Sequence, residues 1–109
     1  MDRSTDSVGD LYRFMEIAEQ GSLTSAAERL GISQSALTRS VQALERAYGS
    51  RLFDRGKRGA RLTDSGALFL ERAREMVRLH EATVREISAF DADPGGRVRI
   101  GLPISTSRV

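Results

Sequence analysis

The sequence predicts a mainly α-helical fold of three short helices, a β-hairpin and one long helix. Three observations carry that prediction. Apolar residues recur at steps of three and four in four separate stretches, the period of a helix with one buried face. Between the third and fourth stretches, two short apolar runs flank the glycine-bearing tip DRGKRGA, the mark of a hairpin. The fourth stretch keeps its period across residues 69–90, which is long for a helix of a small domain.

In chain order, residues 1–6 are polar and read as disordered. Ser7 and Asp10 form an S-x-x-D helix-start signal. Leu11, Phe14, Met15 and Ala18 then share one face, and Gln20-Gly21 closes the helix. Arg13, Glu16 and Glu19 fall on the opposite side and are expected to face solvent. Ser22-Leu23-Thr24 reads as a turn, and Ser25 with Glu28 as the capping box of a second, short helix ending at Gly31. Ala26, Ala27 and Leu30 are its inward residues.

Residues 33–49, SQSALTRSVQALERAYG, form the third helix. Ser33 is placed to cap it and Gly49 to end it in the left-handed conformation. Leu37, Val41, Leu44 and Tyr48 make its apolar stripe. Gln34, Ser35, Thr38, Arg39, Gln42 and Arg46 point the other way. The first two turns of that polar face carry amides, hydroxyls and one arginine, with no acid. Such groups match base edges: arginine pairs with guanine, glutamine with adenine, and hydroxyls with either. The short link through Gly31 makes the second and third helices a helix-turn-helix pair, with Ala27 as the small residue and Leu37 as the apolar plug.

Strands are expected at residues 52–53 and 61–63. The tip between them holds Arg55, Lys57 and Arg58, with Arg61 following and Asp54 as the one acid. A solvated hairpin usually mixes signs, so this one fits a phosphate backbone or a minor groove. Thr63 caps the fourth helix, with Asp64 in its first turn. Leu70, Ala73, Val77, His80, Val84 and Ile87 form a heptad seam, flanked by Phe69, Met76 and Phe90, that a headpiece of some 60 residues is too small to cover. Phe69 and the seam residues are the expected dimerisation contacts. A partner helix from a second copy is the expected cover. His80 is the only histidine, and it reads as a seam residue rather than a metal ligand. Residues 91–96, DADPGG, read as a hinge, and residues 97–102 as the first strand of a further domain. The expected division is therefore 1–62, 63–91 and 92–109.

Net charge is only +2, but it is unevenly distributed. Residues 1–32 carry three arginines against six acids, residues 33–62 seven cations against two acids, and residues 63–109 seven arginines against seven acids. The excess therefore sits on the third helix and the hairpin, where a localised patch suits nucleic acid. Arginine supplies 16 of the 17 cations, and its planar fork suits phosphate and guanine. Cysteine is absent, which excludes disulfides and thiolate metal sites. No apolar run reaches the roughly 20 residues of a membrane helix, and the polar start carries no signal peptide, so a cytoplasmic location is expected. One histidine and no G-x-x-x-x-G-K loop argue against an enzyme and against a resident cofactor.

The motifs GSLTSAAERLGISQSALTRSVQALERAYGSRLFDR and RLTDSG closely resemble the N-terminal half of LysR-type transcriptional regulators, and the resemblance extends over residues 11–90. It implies a winged helix-turn-helix followed by a long linker helix that pairs antiparallel with that of a second subunit. It implies DNA as the partner, read at an interrupted palindrome. GRVRIG resembles the first strand of the family's effector-binding domain, so a small-molecule effector would act only through that absent domain. Gln34 and Arg39 match the family's usual residues. Thr38 stands where serine is commoner, Ser35 where proline is common and Ser40 where glutamine is frequent. The expected base and groove contacts are Gln34, Ser35, Thr38, Arg39 and Arg58, the last at the wing tip. Ser33, Arg55, Lys57 and Arg61 are expected on phosphates. Two alternatives remain on the residues alone: a winged-helix module that binds protein, and another winged-helix regulator such as the molybdate-responsive type.

Overall fold

The computed structural model describes residues 7–54 and 59–92, arranged as α1 (Ser7–Gln20), α2 (Leu23–Leu30), α3 (Gln34–Tyr48), β1 (Phe53–Asp54), β2 (Arg61–Leu62) and α4 (Asp64–Ala92). Residues up to Val77 form one compact unit, and the C-terminal part of α4 lies in a second. The strands pair antiparallel, Phe53 opposite Leu62 and Asp54 opposite Arg61.

Apolar spacing explains the first unit's core. Leu11, Phe14 and Ile17 of α1, Ala26 and Ala27 of α2, and Leu37, Val41 and Leu44 of α3 are all buried. Small alanines on α2 let its backbone approach its neighbours closely. Phe14 is central. Its ring meets Phe53 of β1 at a centroid distance of 5.0 Å and Phe69 of α4 edge-on at 4.9 Å. Three elements distant in sequence thus share one aromatic cluster, the geometry that ring quadrupoles favour.

The helix ends differ in how well the sequence anticipates them. Ser33 caps α3 as expected, accepting from Ala36 N, and Gly49 ends it with φ 65°. Gly31 ends α2 at φ 71° and donates back to the Ala27 and Glu28 carbonyls. A side chain on either glycine would strain that left-handed turn. The start of α2 differs from the expectation. Its cap is Ser22, whose hydroxyl accepts from Ser25 N, so Leu23 and Thr24 are helical and Ser25 lies inside the first turn. Two serines three residues apart compete for the cap, and the earlier one adds a turn of helix. Likewise α1 already includes Ser7, and Asp10 pairs with Arg13 at 3.0 Å. Ile17 rather than Ala18 completes the buried face of α1, because that helix packs on both α2 and α3 and needs a wider stripe.

Thr63 caps α4, accepting from Gly66 N at 2.9 Å. The same hydroxyl donates to the Arg51 carbonyl at 2.7 Å, and Thr63 N donates to the Leu52 carbonyl at 3.0 Å. One residue therefore joins the base of the hairpin to the start of the long helix. That helix continues through Asp91 to Ala92. The expected disorder of residues 1–6 lies outside the described residues, as do the rest of the hinge and the strand at 97–102.

Candidate nucleic-acid interface

Four side chains set the inner face of α3: Leu37, Ser40, Val41 and Leu44 are buried. Ser40 is the one buried polar residue among those described, and its hydroxyl accepts from Arg13 Nη1 at 3.3 Å. Arg13 is itself held by Asp10. Ser40 therefore turns toward α1 and is not on the outward face, whatever residue is frequent there in similar proteins. Arg13 and Glu16, expected to be merely solvated, tie helices together. Glu16 accepts from Arg29 Nε of α2 at 3.0 Å and from Gln20 Nε2 at 2.9 Å.

What remains outward on α3 is Gln34, Ser35, Arg39, Gln42 and Arg46, all exposed, with Thr38 half-buried beside them. No acid lies in the first turn. The Gln34 amide is not loose: its Nε2 donates to Thr24 Oγ1 of α2 at 2.8 Å. Ser33 uses its oxygen as the cap, which leaves the hydroxyl proton for an acceptor outside. This face thus offers hydroxyls, amides and guanidiniums on a rigid rod about 10–12 Å across, which a major groove admits.

The hairpin is anchored from three sides. Glu45 Oε2, on α3, accepts from Leu52 N at 2.8 Å and Phe53 N at 3.3 Å. A charged acceptor on two backbone donors is a strong tie. Thr63 holds it from α4, as above. Ala60 N donates to the carbonyl of Gly21, in the α1–α2 turn, at 3.0 Å. Arg61 is exposed on β2. Arg55, Lys57 and Arg58 lie outside the described residues. Neither Thr24 nor Glu45 stands out in the sequence. Thr24 sits in what reads as a turn, and Glu45 is one acid among basic neighbours. The signal for each is a distance in space, ten and seven residues along the chain from its partner.

The expected seam on α4 divides in two. Phe69, Ala73 and Val77 are 6%, 0% and 4% exposed, inside the first unit's core, and Leu70 packs against it. They are therefore internal and not open to a partner helix, because a three-helix headpiece has room for two turns of a fourth. Tyr48, expected on the apolar stripe of α3, is 55% exposed and rests its ring on Phe69 at 4.8 Å. In the second unit His80, Val84 and Ile87 are exposed, as are Leu79 and Phe90. Among the described residues no helix is long and apolar enough to cross a membrane, and no group of three His, Asp or Glu residues is arranged to hold a metal.

Three helices, a tethered β-hairpin and a polar outward face on the third helix define a winged helix-turn-helix domain. The family model for bacterial regulatory helix-turn-helix proteins of the lysR family matches residues 8–67, and the chain belongs to that family. Its relatives include the transcriptional regulator TfdT of Cupriavidus pinatubonensis, 38% identical over 100 residues, covering 89% of this chain and 44% of that protein. ClcR of Pseudomonas putida is 46% identical over 91 residues, covering 84% of this chain and 29% of that protein. The chain thus spans less than half the length of these curated relatives. Among solved structures, the CbnR DNA-binding domain in complex with DNA superposes with a TM-score of 0.72 at 39% identity, covering 75% of this chain and 94% of that one. Vibrio fischeri DarR in complex with DNA superposes with a TM-score of 0.75 at 33% identity, covering 78% and 29%. The named relatives are transcriptional regulators rather than enzymes.

Proposed function

We propose that this chain is the DNA-binding part of a cytoplasmic transcription regulator and that it works as a dimer on duplex DNA. The observation that carries this reading is the outward face of α3, where base-reading groups are exposed without an acid while the opposite face is locked into the core. Gln34, Ser35, Thr38 and Arg39 read bases in the major groove. Ser33 and the wing cations Arg55, Lys57 and Arg61 hold phosphates, and Arg58 enters the minor groove. Residues 1–62 form the reading head, 63–91 the linker and 92–109 the beginning of a domain through which a small-molecule effector acts. Higher oligomers belong to the full-length protein.

The alternative, a winged-helix module for protein partners, differs in its response to salt. Three wing cations per copy, six per dimer, give a slope of about −5 in log affinity against log salt. Titrating a duplex with the protein at several salt concentrations measures it. A slope near zero would favour the protein-binding module.

Dimerisation through α4 rests on the second unit. Leu79, Val84, Ile87 and Phe90 are 69%, 51%, 56% and 49% exposed. Thr83 returns its hydroxyl to the Leu79 carbonyl at 2.8 Å, so that group is satisfied within the helix. Apolar residues exposed at this density on one short stretch mark an interaction surface. Leu79→Glu is expected to raise the dimer dissociation constant at least about tenfold, since it places a charge on an apolar contact. Sedimentation equilibrium checks it. A wild-type chain that is monomeric at high micromolar concentration would refute the pairing. Val77 is the wrong residue to test, because its substitution breaks the core.

A further inference from the structure

We infer that Thr24 is a specificity-determining positioning residue: it sets which base Gln34 can read. The inference rests on the reading of α3 as the recognition helix. A glutamine amide carries two N–H donors and one carbonyl acceptor. One of those donors is committed to Thr24 Oγ1 at 2.8 Å. The amide is left with one N–H and its carbonyl to present outward. Adenine offers one acceptor, N7, beside one donor, the N6 amino group, and matches that pair. Guanine offers two acceptors, N7 and O6, and needs two donors from the reader. In the arrangement seen, Thr24 accepts from one of the two N–H groups, so Gln34 presents one donor and one acceptor outward. Supplying both donors requires the amide to turn over and accept from the threonine hydroxyl instead.

The same bond also fixes where the amide sits. Without a partner on α2, the side chain is free to swing among neighbouring base edges. With Thr24 accepting from Nε2, the amide is held beside α2 with its second N–H and its carbonyl left for the DNA. Glutamine also carries a large side-chain entropy, and ordering it before the DNA arrives lowers the cost of binding. Thr24 lies in the first turn of α2 because Ser22 caps that helix. The extra turn of α2 is therefore what brings the hydroxyl to Gln34. Both residues are exposed, so the pair contributes little to the core.

The experiment selects bound sequences from a randomised duplex library with the wild-type chain and with Gln34→Ala, Thr24→Val and Thr24→Ser. Gln34→Ala identifies the base pair that Gln34 reads, as the position whose preference it flattens. At that position the wild type is expected to prefer adenine. Thr24→Val should reduce the adenine-over-guanine preference there by about three- to tenfold, the worth of one hydrogen bond, and leave other positions unchanged. Thr24→Ser keeps the hydroxyl and should keep the preference. The double variant Thr24→Val with Gln34→Ala should lose no more at that position than Gln34→Ala alone. Thr24→Ala, checked by thermal melting, repeats the test without the added methyl. If Gln34→Ala flattens one position and Thr24→Val leaves that position intact, the positioning role is wrong and the recognition-helix reading stands. An equal loss by Thr24→Val at every position also overturns it, making Thr24 a general contact. If Gln34→Ala changes no preference, both this inference and the role of Gln34 in the recognition helix fail.

Discussion

Gly66→Ala is expected to destabilise the domain by about 2–3 kcal/mol, although alanine is the better helix former by about 1 kcal/mol. Gly66 lies in the first turn of α4 and is buried. A Cβ built there overlaps the Leu52 carbonyl oxygen and crowds Leu62 Cδ2 at 3.1 Å. The obstructing atom is backbone, and it is not free to retreat. Leu52 O accepts from Thr63 N at 3.0 Å, and Leu52 N donates to Glu45 at 2.8 Å. Overpacking against movable side chains costs about 1–3 kcal/mol, and a backbone held from both sides lies at or above the top of that range. The clash therefore outweighs the gain in helix propensity. Urea unfolding at a fixed protein concentration measures it, because the proposed dimerisation would make stability concentration-dependent. A midpoint equal to or above that of wild type would show that the Leu52 segment shifts freely, and that Thr63 and Glu45 do not fix the wing base.

Periodicity made the helices legible because burial is what creates it. Leu11 and Phe14 of α1, Leu37, Val41 and Leu44 of α3, and Phe69, Ala73 and Val77 of α4 line the core as their spacing predicts, while Ala18 and Tyr48 of the same stripes do not. Glycine and serine at helix ends were legible for a local reason: Ser33, Gly31 and Gly49 act on backbone within a turn of themselves. Ser22 and Ser25 show where local rules stop. Both are competent caps, and only packing decides between them. The seam on α4 was legible as apolar but not by destination. The pattern that buries Phe69, Ala73 and Val77 in their own headpiece continues unchanged through Val84 and Ile87, which are exposed. A period carries no information about which surface covers it. On the candidate interface, the composition of the α3 face was readable because exposure follows from the helix phase. The ties that orient it were not. Arg13 to Ser40, Glu45 to the first strand and Gln34 to Thr24 each join polar residues from different elements. Polar side chains of that kind look solvated in any one-dimensional reading.

Those ties bear on what a test of base reading must separate. Arg39 is exposed in the second turn of α3, and the helix beneath it is fixed through Leu37 and Ser40. Its backbone position is therefore set before DNA arrives, so replacing its side chain removes a contact and leaves the scaffold in place. Arg39→Ala is expected to cost about 1–3 kcal/mol on the selected site, concentrated at a guanine, the base whose N7 and O6 accept a guanidinium fork. Binding to scrambled duplex should change less. Arg61→Ala, on the exposed side of β2, should lower affinity for both duplexes together and reduce the salt slope by about one ion per copy. The pair of variants separates the two kinds of contact in one titration series, run on selected and scrambled duplexes at several salt concentrations. Net charge does not distinguish them, since each removes one arginine. A specific-to-scrambled ratio that falls equally in both would mean that α3 and the wing are one undifferentiated basic surface. A ratio that Arg39→Ala leaves untouched would take base reading away from the second turn of α3, and would leave the first turn, with Gln34 held by Thr24, to carry it.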